Sequence, residues 1–196
     1  MKSIFETNQK LYELSTAFQN MKKFLPYTKD EYYIDAQKRC AKMISKLNKY
    51  SFAQNEKKQK LFKKLFAQYG ENNTIKEGFE CNLGSNIKIG NNCFFNFNLI
   101  ILDAYEVEIG NHVFIAPNVL ITPVYHSVKA TERNKNMGKK IVIEDDVWIG
   151  AGAIIMPGVT LHKGCVVGAG SVVTNDVEAN TIVVGVPAKF LKNIEQ

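Results

Sequence analysis

The second half of the chain repeats an aliphatic residue every six positions, and this period constrains the fold more than any other feature. The repeat opens at Leu83, Ile89, Ile109, Ile115, Ile143, Ile149, Ile155, Leu161, Val167 and Val173. An α-helix repeats its apolar residues about every 3.6 positions and an ordinary strand every 2, so neither explains a period of six. Short stacked strands joined by tight turns explain it, because each coil buries one aliphatic residue per face. The sequence therefore predicts a parallel β-helix of roughly four to five coils.

Residues suited to tight turns lie between the aliphatic positions. Gly, Asn and Asp recur there, and they favour the positive φ angles that corners often need. Pro117 and Pro157 occupy the same place in their hexads, so they mark corners of the repeat. Between Ile101 and Ile109 the register slips by two residues. This slip predicts a short corner insertion around residues 103–105.

A longer interruption covers about residues 122–142 and divides the repeat in two. It is rich in charged residues and contains His126, one of the 3 histidines of the chain. Insertions in a repeat fold form loops on one face, which is often the binding face. An imidazole titrates near neutral pH and can accept a proton there, so His126 is a candidate general base. His112 and His162 lie within hexads at corner positions and are interpreted as exposed turn residues.

The N-terminal part of the chain differs in composition and is strongly basic. Residues 1–70 hold 15 Lys and Arg against 6 Asp and Glu, while the net charge of the whole chain is +6. Two amphipathic helices are predicted near residues 35–48 and 59–69, with apolar stripes at Ala36, Cys40, Met43, Ile44 and Leu47, and at Leu61, Phe62, Leu65 and Phe66. We expect a helical region at 1–72 that caps the first coil, followed by the β-helix at 73–196.

Several classes of protein are disfavoured by the composition. No apolar run approaches the ~20 residues of a membrane span, and no charged-then-apolar signal pattern opens the chain, so a cytoplasmic protein is expected. Cys40, Cys81, Cys93 and Cys165 show no C-x-x-C spacing and are interpreted as reduced thiols, not as a metal site. The lysines of the helices indicate a solvated surface, and no zinc-finger spacing or aromatic RNA-binding motif indicates a nucleic-acid partner.

At this point the chain resembles the sugar O-acetyltransferases of the maltose/galactoside type. The motifs that carry the resemblance are Asn96–Asp103, Ile109-Gly110-Asn111, Ile115–Val119, His126, Val147–Gly150, Pro157–Thr160 and Gly185–Lys189, with Pro26-Tyr27 and Arg39 upstream. The similarity covers nearly everything after about residue 24, and residues 1–24 form an extension without a counterpart. The resemblance implies a left-handed parallel β-helix that forms a homotrimer with active sites between subunits. It also implies acetyl-CoA as donor, a sugar hydroxyl as acceptor, and no metal.

The same resemblance assigns roles to individual residues. His126 would act as the general base, and Asn96 would face it and bind the acceptor. Acceptor contacts are also expected at Asn82, Phe94, Asp103 and Asp30. The positions that match the family's coenzyme A site are Trp148, Ala151, Ala169 and Thr174 along the pantetheine arm, and Lys189 and Lys192 beside the nucleotide phosphates.

Two departures from the family pattern concern the acceptor and keep alternatives open. Phe94 and Ala104 stand where relatives have a tyrosine and an acidic residue, so a polysaccharide residue, a nucleotide-linked amino sugar or an antibiotic hydroxyl is an alternative acceptor. A serine acetyltransferase is disfavoured because its long helical N-terminal domain is missing. A γ-carbonic-anhydrase type metal enzyme needs three histidines at a spacing that His112, His126 and His162 do not have. A non-enzymatic scaffold would not need His126 and Asn96.

Overall fold

A computed structural model of the chain describes residues 13–50 and 54–195. The early part of the predicted N-terminal extension therefore lies outside the described residues. Before the β-helix, the helices with described bounds are α1 (Thr16–Lys22), α2 (Glu31–Leu47) and α3 (Asn55–Leu65). The first strand already begins at Gln68, a few residues before the boundary drawn from the sequence.

The strands of the β-helix stack into three sheets. The first sheet contains β1 (Gln68–Tyr69), β4 (Ile87–Ile89), β7 (Val107–Ile109), β12 (Ile141–Ile143) and β15 (Thr160–Leu161). The second contains β2 (Thr74–Ile75), β5 (Phe94–Phe95), β8 (Phe114–Ile115), β13 (Trp148–Ile149), β16 (Val166–Val167), β18 (Thr181–Val184) and β19 (Lys189–Asn193). The third contains β3 (Glu80–Cys81), β6 (Ile100–Ile101), β9 (Leu120–Ile121), β14 (Ile154–Ile155) and β17 (Val172–Val173). All ladders within these sheets are parallel except the pair β18–β19.

The six-residue repeat is explained by ladders of buried side chains on each sheet. The second sheet buries Ile75, Phe95, Ile115, Ile149, Val167 and Val183; the first buries Ile89, Ile109, Ile143 and Leu161; the third buries Ile101, Ile121, Ile155 and Val173. Cys93 and Cys165 lie in the same interior. These ladders confirm the predicted parallel β-helix, in which each coil contributes one inward apolar residue to each face. The second sheet has six strands in parallel ladders, so the β-helix has about six coils and not the four to five expected.

The early coils are longer than the later ones, as the register slip predicts. Phe94 pairs with Phe114 twenty residues on, whereas Trp148 pairs with Val166 eighteen residues on. The two extra residues lie in the turns from the third sheet back to the first, at residues 82–86 and 102–106. Leu83 therefore does not open a hexad as expected: it lies in such a turn and packs in a second apolar cluster.

The helical cap covers the open end of the first coil. Ile44 and Leu47 of α2 and Phe62 and Leu65 of α3 are buried in the same core as Phe79 of the first coil. Cys40 of α2 also lies against β3, with its Sγ 3.5 Å from Cys81 Sγ. Both predicted helices are present, but the second ends at Leu65, and Gln68–Tyr69 at its predicted end form β1. The helices supply the apolar surface that the first coil would otherwise expose.

The long interruption forms a β-hairpin at the corner where the third sheet returns to the first. Its strands are β10 (Val124–His126) and β11 (Asn136–Gly138), which pair antiparallel; a 3₁₀ turn, Ala130–Glu132, lies between them. The turns 82–86 and 102–106 lie at the same corner as the hairpin. We call this part of the molecule the hairpin corner. It has its own apolar cluster, which contains Ala17, Phe18, Met21, Tyr27, Tyr33, Ala36, Leu83, Ala104 and Tyr105.

Candidate active site

The hairpin places His126 at an exposed position with one ring nitrogen already engaged. His126 Nδ1 lies 3.2 Å from the carbonyl oxygen of Lys135. A carbonyl oxygen only accepts hydrogen bonds, so Nδ1 must carry the proton. In the neutral ring Nε2 then keeps its lone pair, which is the form that accepts a proton from a substrate.

The other two histidines occupy corners of the coils and are held in polar ladders. His112 has a φ of 55° and its ring contacts Asn92 and Asp146. His162 Nδ1 lies 3.1 Å from Glu144 Oε1. These positions agree with the turn roles predicted for both residues. Among the described residues, no group of three metal-ligating side chains is present.

Asn82 and Asn96 lie on different corners of the prism. Asn82 is in the first turn of the hairpin corner, and its Oδ1 is 3.4 Å from Gln37 Nε2 of α2. Asn96 follows β5, on the turn from the second sheet to the third, and its Oδ1 accepts a hydrogen bond from Phe97 N–H at 2.9 Å. Within the described chain neither side chain hydrogen-bonds to His126. A site that contains both Asn96 and His126 therefore has to bring two corners together.

Asp103 has a structural role in place of the acceptor contact expected from the sequence. Its carboxylate is fully buried; Oδ1 accepts from the N–H groups of Asn82 and Leu83 at 2.9 and 2.8 Å, and Oδ2 from Asn86 N–H at 3.3 Å. Burial raises the pKa of Asp103 to about 6, although the hydrogen bonds oppose this. The carboxylate thus shapes the turn that presents Asn82 and has no free face for a sugar.

Asp30 is the N-cap of α2, and the acceptor contact expected of it stays a prediction. Its carboxylate accepts from Tyr33 N–H at 2.9 Å, and from Ser15 Oγ and Ala17 N–H at 2.7 and 3.0 Å. Burial opposes the ionised form, but these hydrogen bonds hold the pKa of Asp30 below its usual value. The side chain joins the start of α1 to the start of α2.

Residues expected to bind the donor lie on the second sheet and on its corner with the third. Phe94, Phe114 and Trp148 are register partners on the outer face of that sheet. Phe114 is 53% exposed and Trp148 55%, while Phe94 is half-buried with its ring 6.2 Å from that of Phe114. Phe94 thus belongs to the same outward ladder as Trp148, which the sequence had assigned to a different ligand.

The turns at 150–152 and 168–170 contain only glycine and alanine, and we call them the alanine corner. Ala151 and Ala169 are exposed, and in the described chain neither N–H donates to a backbone carbonyl, unlike their neighbours. Gly152 has a φ of +68°, and a Cβ built there would meet nothing within 4 Å. This corner offers an open path with free N–H donors, which suits an extended ligand that carries amide carbonyls.

The C-terminal lysines lie close to the alanine corner, whereas Thr174 does not. Lys189 pairs with Val184 across β18–β19, and Val184 is the side chain that a Cβ on Gly168 would touch. Lys192 lies further along the same exposed strand, opposite Ile182. Thr174 follows β17 of the third sheet and accepts from Asn175 Nδ2 at 3.1 Å.

The sequence missed the group of residues that supports the hairpin. Tyr27, Tyr105 and Gly138 are distant in the chain but meet beneath β11. No periodicity connects them, because each lies outside the hexads. The sequence did carry one signal, the two-residue register slip around residues 103–105. This slip adds the bulky side chain of Tyr105 to one corner only.

These features define a β-helix of hexapeptide repeats with a histidine on an inserted hairpin. The family model of the bacterial transferase hexapeptide (six repeats) matches residues 140–175. A galactoside O-acetyltransferase from Lactococcus lactis is 36% identical over 173 residues, which is 87% of this chain and 84% of the relative. Among the described residues, no helix is long and apolar enough to cross a membrane.

Solved structures show the same fold over nearly the whole chain. A maltose O-acetyltransferase from Clostridium difficile has a TM-score of 0.90 at 37% identity, covering 93% of this chain and 99% of its own. A hexapeptide-repeat acetyltransferase from Vibrio cholerae, solved with acetyl coenzyme A, has a TM-score of 0.86 at 31% identity, covering 93% and 100%. The chain belongs to the galactoside and maltose O-acetyltransferase family of acyltransferases. These matches confirm the left-handed parallel β-helix predicted above.

Proposed function

We propose that the protein transfers the acetyl group of acetyl-CoA to a hydroxyl of a sugar or sugar-containing acceptor, with His126 as general base. The observation that carries this proposal is the hydrogen bond from His126 Nδ1–H to Lys135 O, which leaves Nε2 free to accept a proton. Relatives named as galactoside and maltose O-acetyltransferases support the acceptor class. The similar acetyltransferase from Vibrio cholerae was solved with acetyl coenzyme A, which supports acetyl-CoA as the donor.

The mechanism follows from the chemistry of the transfer. Nε2 of His126 removes the hydroxyl proton as the oxygen attacks the thioester carbonyl, and general-base catalysis of this kind is worth about 10²–10⁴-fold. The tetrahedral intermediate collapses and its carbon–sulfur bond breaks. The thiolate of CoA that leaves then takes the proton from the imidazolium of His126. Asn82 and Asn96 supply amide groups for the acceptor.

Coenzyme A would lie along the alanine corner in this proposal. The N–H groups of Ala151 and Ala169 would donate to the amide carbonyls of pantetheine, beside the exposed Trp148. Lys189 and Lys192 would attract the phosphates of coenzyme A, because a lysine ammonium group is a positive charge on a flexible side chain. Thr174 lies on the other side of the third sheet, so the contact with the pantetheine arm expected of it stays a prediction.

The proposal includes a homotrimer in the cytoplasm. Asn96 and the alanine corner lie between the second and third sheets, whereas His126 lies between the third and the first. A second copy that presents its own alanine corner to the hairpin would complete the site, and the exposed Phe114 and Trp148 would be covered there. The four free cysteines suit a reducing compartment.

An acetylation assay with matched histidine variants tests the function. The protein is incubated with acetyl-CoA and a panel of glucosides, galactosides, maltose, amino sugars and glycans, and free thiol is followed while acetylated product is identified by mass. We expect His126→Asn to lower kcat about 10²–10⁴-fold. His112→Asn is the control, because Asn already occupies the equivalent corners at Asn72 and Asn92. Equal rates in the two variants would refute the assignment of the base.

The same panel, extended by nucleotide-linked amino sugars and polysaccharide fragments, decides between acceptors. Phe94 and Ala104 offer no hydroxyl or carboxylate to a sugar, and Ala104 is buried against the aromatic cluster of the hairpin corner. An acceptor other than a simple galactoside, such as a nucleotide-linked amino sugar or a polysaccharide residue, is therefore the second candidate. Preferential turnover of a nucleotide-linked sugar or a polysaccharide fragment would select it.

A further inference from the structure

In the hairpin that carries His126, β10 is buried only in part, at Val124, which packs against the apolar cluster of the hairpin corner. Tyr125 and His126 are exposed on β10, and Val128 near its tip is 93% exposed. The buried positions lie on β11, at Asn136 and Gly138. The orientation of the imidazole therefore depends on what holds β11.

In addition to its pairing with β10, β11 contacts two aromatic residues from outside the hairpin. The N–H of Tyr27 donates to Asn136 O at 3.0 Å, and the N–H of Asn136 donates to Tyr27 O at 2.8 Å, so Tyr27 pairs antiparallel with β11. The ring of Tyr105 lies directly beneath Gly138, where an added Cβ would come within 2.2 Å of it. The rings of Tyr27 and Tyr105 are themselves 5.9 Å apart.

One peptide group connects Tyr27 to the ring of His126. The carbonyl of Lys135 and the N–H of Asn136 belong to the same planar peptide, and in a trans peptide they point in opposite directions. The N–H side is bound to Tyr27 O, and the carbonyl side accepts from His126 Nδ1. Fixing one side of the plane fixes the direction of the other.

The side chain of Tyr27 makes its backbone a rigid partner. Tyr27 is 2% exposed, its ring lies 5.5 Å from that of Tyr33, and its hydroxyl is 3.3 Å from the Tyr33 hydroxyl. Burial raises the pKa of Tyr27 to about 12, so the phenol stays neutral in this cluster. The ring can therefore anchor the backbone without introducing a charge.

We propose that Tyr27 is a positioning residue for His126: its buried ring holds a backbone pair that orients the Lys135–Asn136 peptide, and this peptide fixes the tautomer and direction of the imidazole. Tyr27 thus acts on the reaction without touching either substrate. This inference rests on the proposed function of His126. It assigns to residues before the β-helix a role in catalysis in addition to capping.

The test compares Tyr27→Leu with Phe62→Leu. Both changes remove a buried ring from the N-terminal region, but Phe62 packs between α3 and the first coil and does not contact the hairpin. We expect Tyr27→Leu to lower kcat about 10–100-fold, because small misplacements of a catalytic group cost this much. The KM for acetyl-CoA should stay within about twofold, since the donor groups lie on another corner. Phe62→Leu should lose thermal stability to a similar degree and keep kcat within about twofold.

A spectroscopic measurement separates positioning from a general loss of folding. With 3 histidines in the chain, two-bond ¹H–¹⁵N correlation spectra resolve each ring, and His112→Asn and His126→Asn supply the assignments. We expect the wild type to show the Nδ1–H tautomer at His126, Tyr27→Phe to retain it, and Tyr27→Leu to lose it in part. The rings of His112 and His162 should not change.

The outcomes distinguish this inference from the function on which it rests. If Tyr27→Leu keeps both the wild-type kcat and the Nδ1–H tautomer of His126, the positioning role is refuted. If no acceptor is turned over by the wild type, the proposed function fails, but the tautomer of His126 in Tyr27→Leu still decides whether Tyr27 orients the ring. A Tyr27→Phe variant as defective as Tyr27→Leu would also overturn the role, because it keeps the ring and the backbone pair.

Discussion

The hairpin corner and the alanine corner are built from the same repeat but differ in almost every respect. The hairpin corner gains two extra residues in its early turns, buries Tyr27, Tyr33 and Tyr105, and encloses the carboxylate of Asp103. The alanine corner keeps the short turn and reduces it to Gly150–Gly152 and Gly168–Gly170, with exposed backbone.

The difference shows two ways in which a repeat can acquire a site. A catalytic side chain has to be held in one orientation, so its corner needs packing and a hydrogen-bonded support. A long ligand needs access to backbone donors, so its corner has to lose side chains. The predictions below test whether each corner works in the way its construction indicates, and they run from the largest expected effect to the smallest.

Gly138→Ala should have the largest effect, and it should act on the hairpin corner alone. The new Cβ would lie 2.2 Å from Tyr105 Cδ2 and 2.3 Å from Pro123 O, so β11 must move away from its support. We expect kcat to fall about 100-fold, because a shift of the order of 1 Å at a catalytic group costs this much. Steady-state kinetics measure it, with the affinity for CoA from calorimetry as the internal control. A wild-type kcat would show that the close contact does not orient the hairpin.

Asp103→Asn should reduce stability and remove a pH dependence. The amide keeps one acceptor oxygen but turns an N–H₂ group towards Asn86 N–H, which would cost about 1–3 kcal/mol. In the wild type, the folded pKa of about 6 lies above the unfolded value of 3.8, so folding binds a proton between these values. Stability is therefore higher at low pH and falls as pH rises through this window.

Urea unfolding at several pH values checks this prediction about Asp103. The difference in unfolding free energy between the wild type and Asp103→Asn should shrink by about 1–3 kcal/mol between pH 4 and pH 6.5, the size that a shift of about two pKa units implies. Asp145→Asn, at a different corner where the carboxylate accepts from Asn111, is the comparison. A difference for Asp103→Asn that is constant with pH would mean that the buried carboxylate keeps its unfolded pKa.

The contrast between the two corners also explains what the sequence could predict. The hexad period identified the three sheets because each sheet buries an aliphatic side chain at a fixed spacing of six, as at Ile143, Ile149 and Ile155. His126 and the alanine turns were found through the resemblance and the break in the repeat. Asp103 and Asp30 were assigned to the acceptor, but their carboxylates bind backbone N–H groups. A sequence motif reports which residue is present and does not show whether its polar atoms already have partners.

Tyr27 is a residue whose role the sequence pattern did not reveal. It lies outside every hexad, and its importance comes from pairing with Asn136 more than a hundred residues later in the chain. Long-range backbone pairs of this kind leave no periodic trace, because any residue can supply the N–H and the carbonyl. The structure is needed to find them.

Ala151→Pro tests the alanine corner by removing a single donor. Proline is compatible with this turn, because Pro117 occupies the same place one coil earlier and its carbonyl accepts from Gly152 N–H. The variant lacks the exposed N–H, so we expect its affinity for CoA to be about tenfold lower. This factor corresponds to the loss of one hydrogen bond that contributes about 1.4 kcal/mol. Calorimetric titration measures it beside Ala151→Ser, which keeps the N–H and should lose less. Equal affinities for Ala151→Pro and the wild type would remove this amide from the donor site.

Gly152→Asn should have the smallest effect. It tests whether glycine is needed at this turn for the backbone conformation or for the space that a bound ligand would occupy. Asn118 occupies the equivalent position one coil earlier with a φ of 61°, close to the +68° of Gly152, so asparagine fits the backbone and the melting temperature should change little. The side chain would nevertheless project into the space that is empty at Gly152, and we expect the affinity for CoA to fall about threefold, or about 0.6 kcal/mol. Calorimetry and thermal unfolding of the same sample report the two effects separately. A large loss of stability with unchanged affinity would mean that glycine serves the turn and that the ligand passes elsewhere.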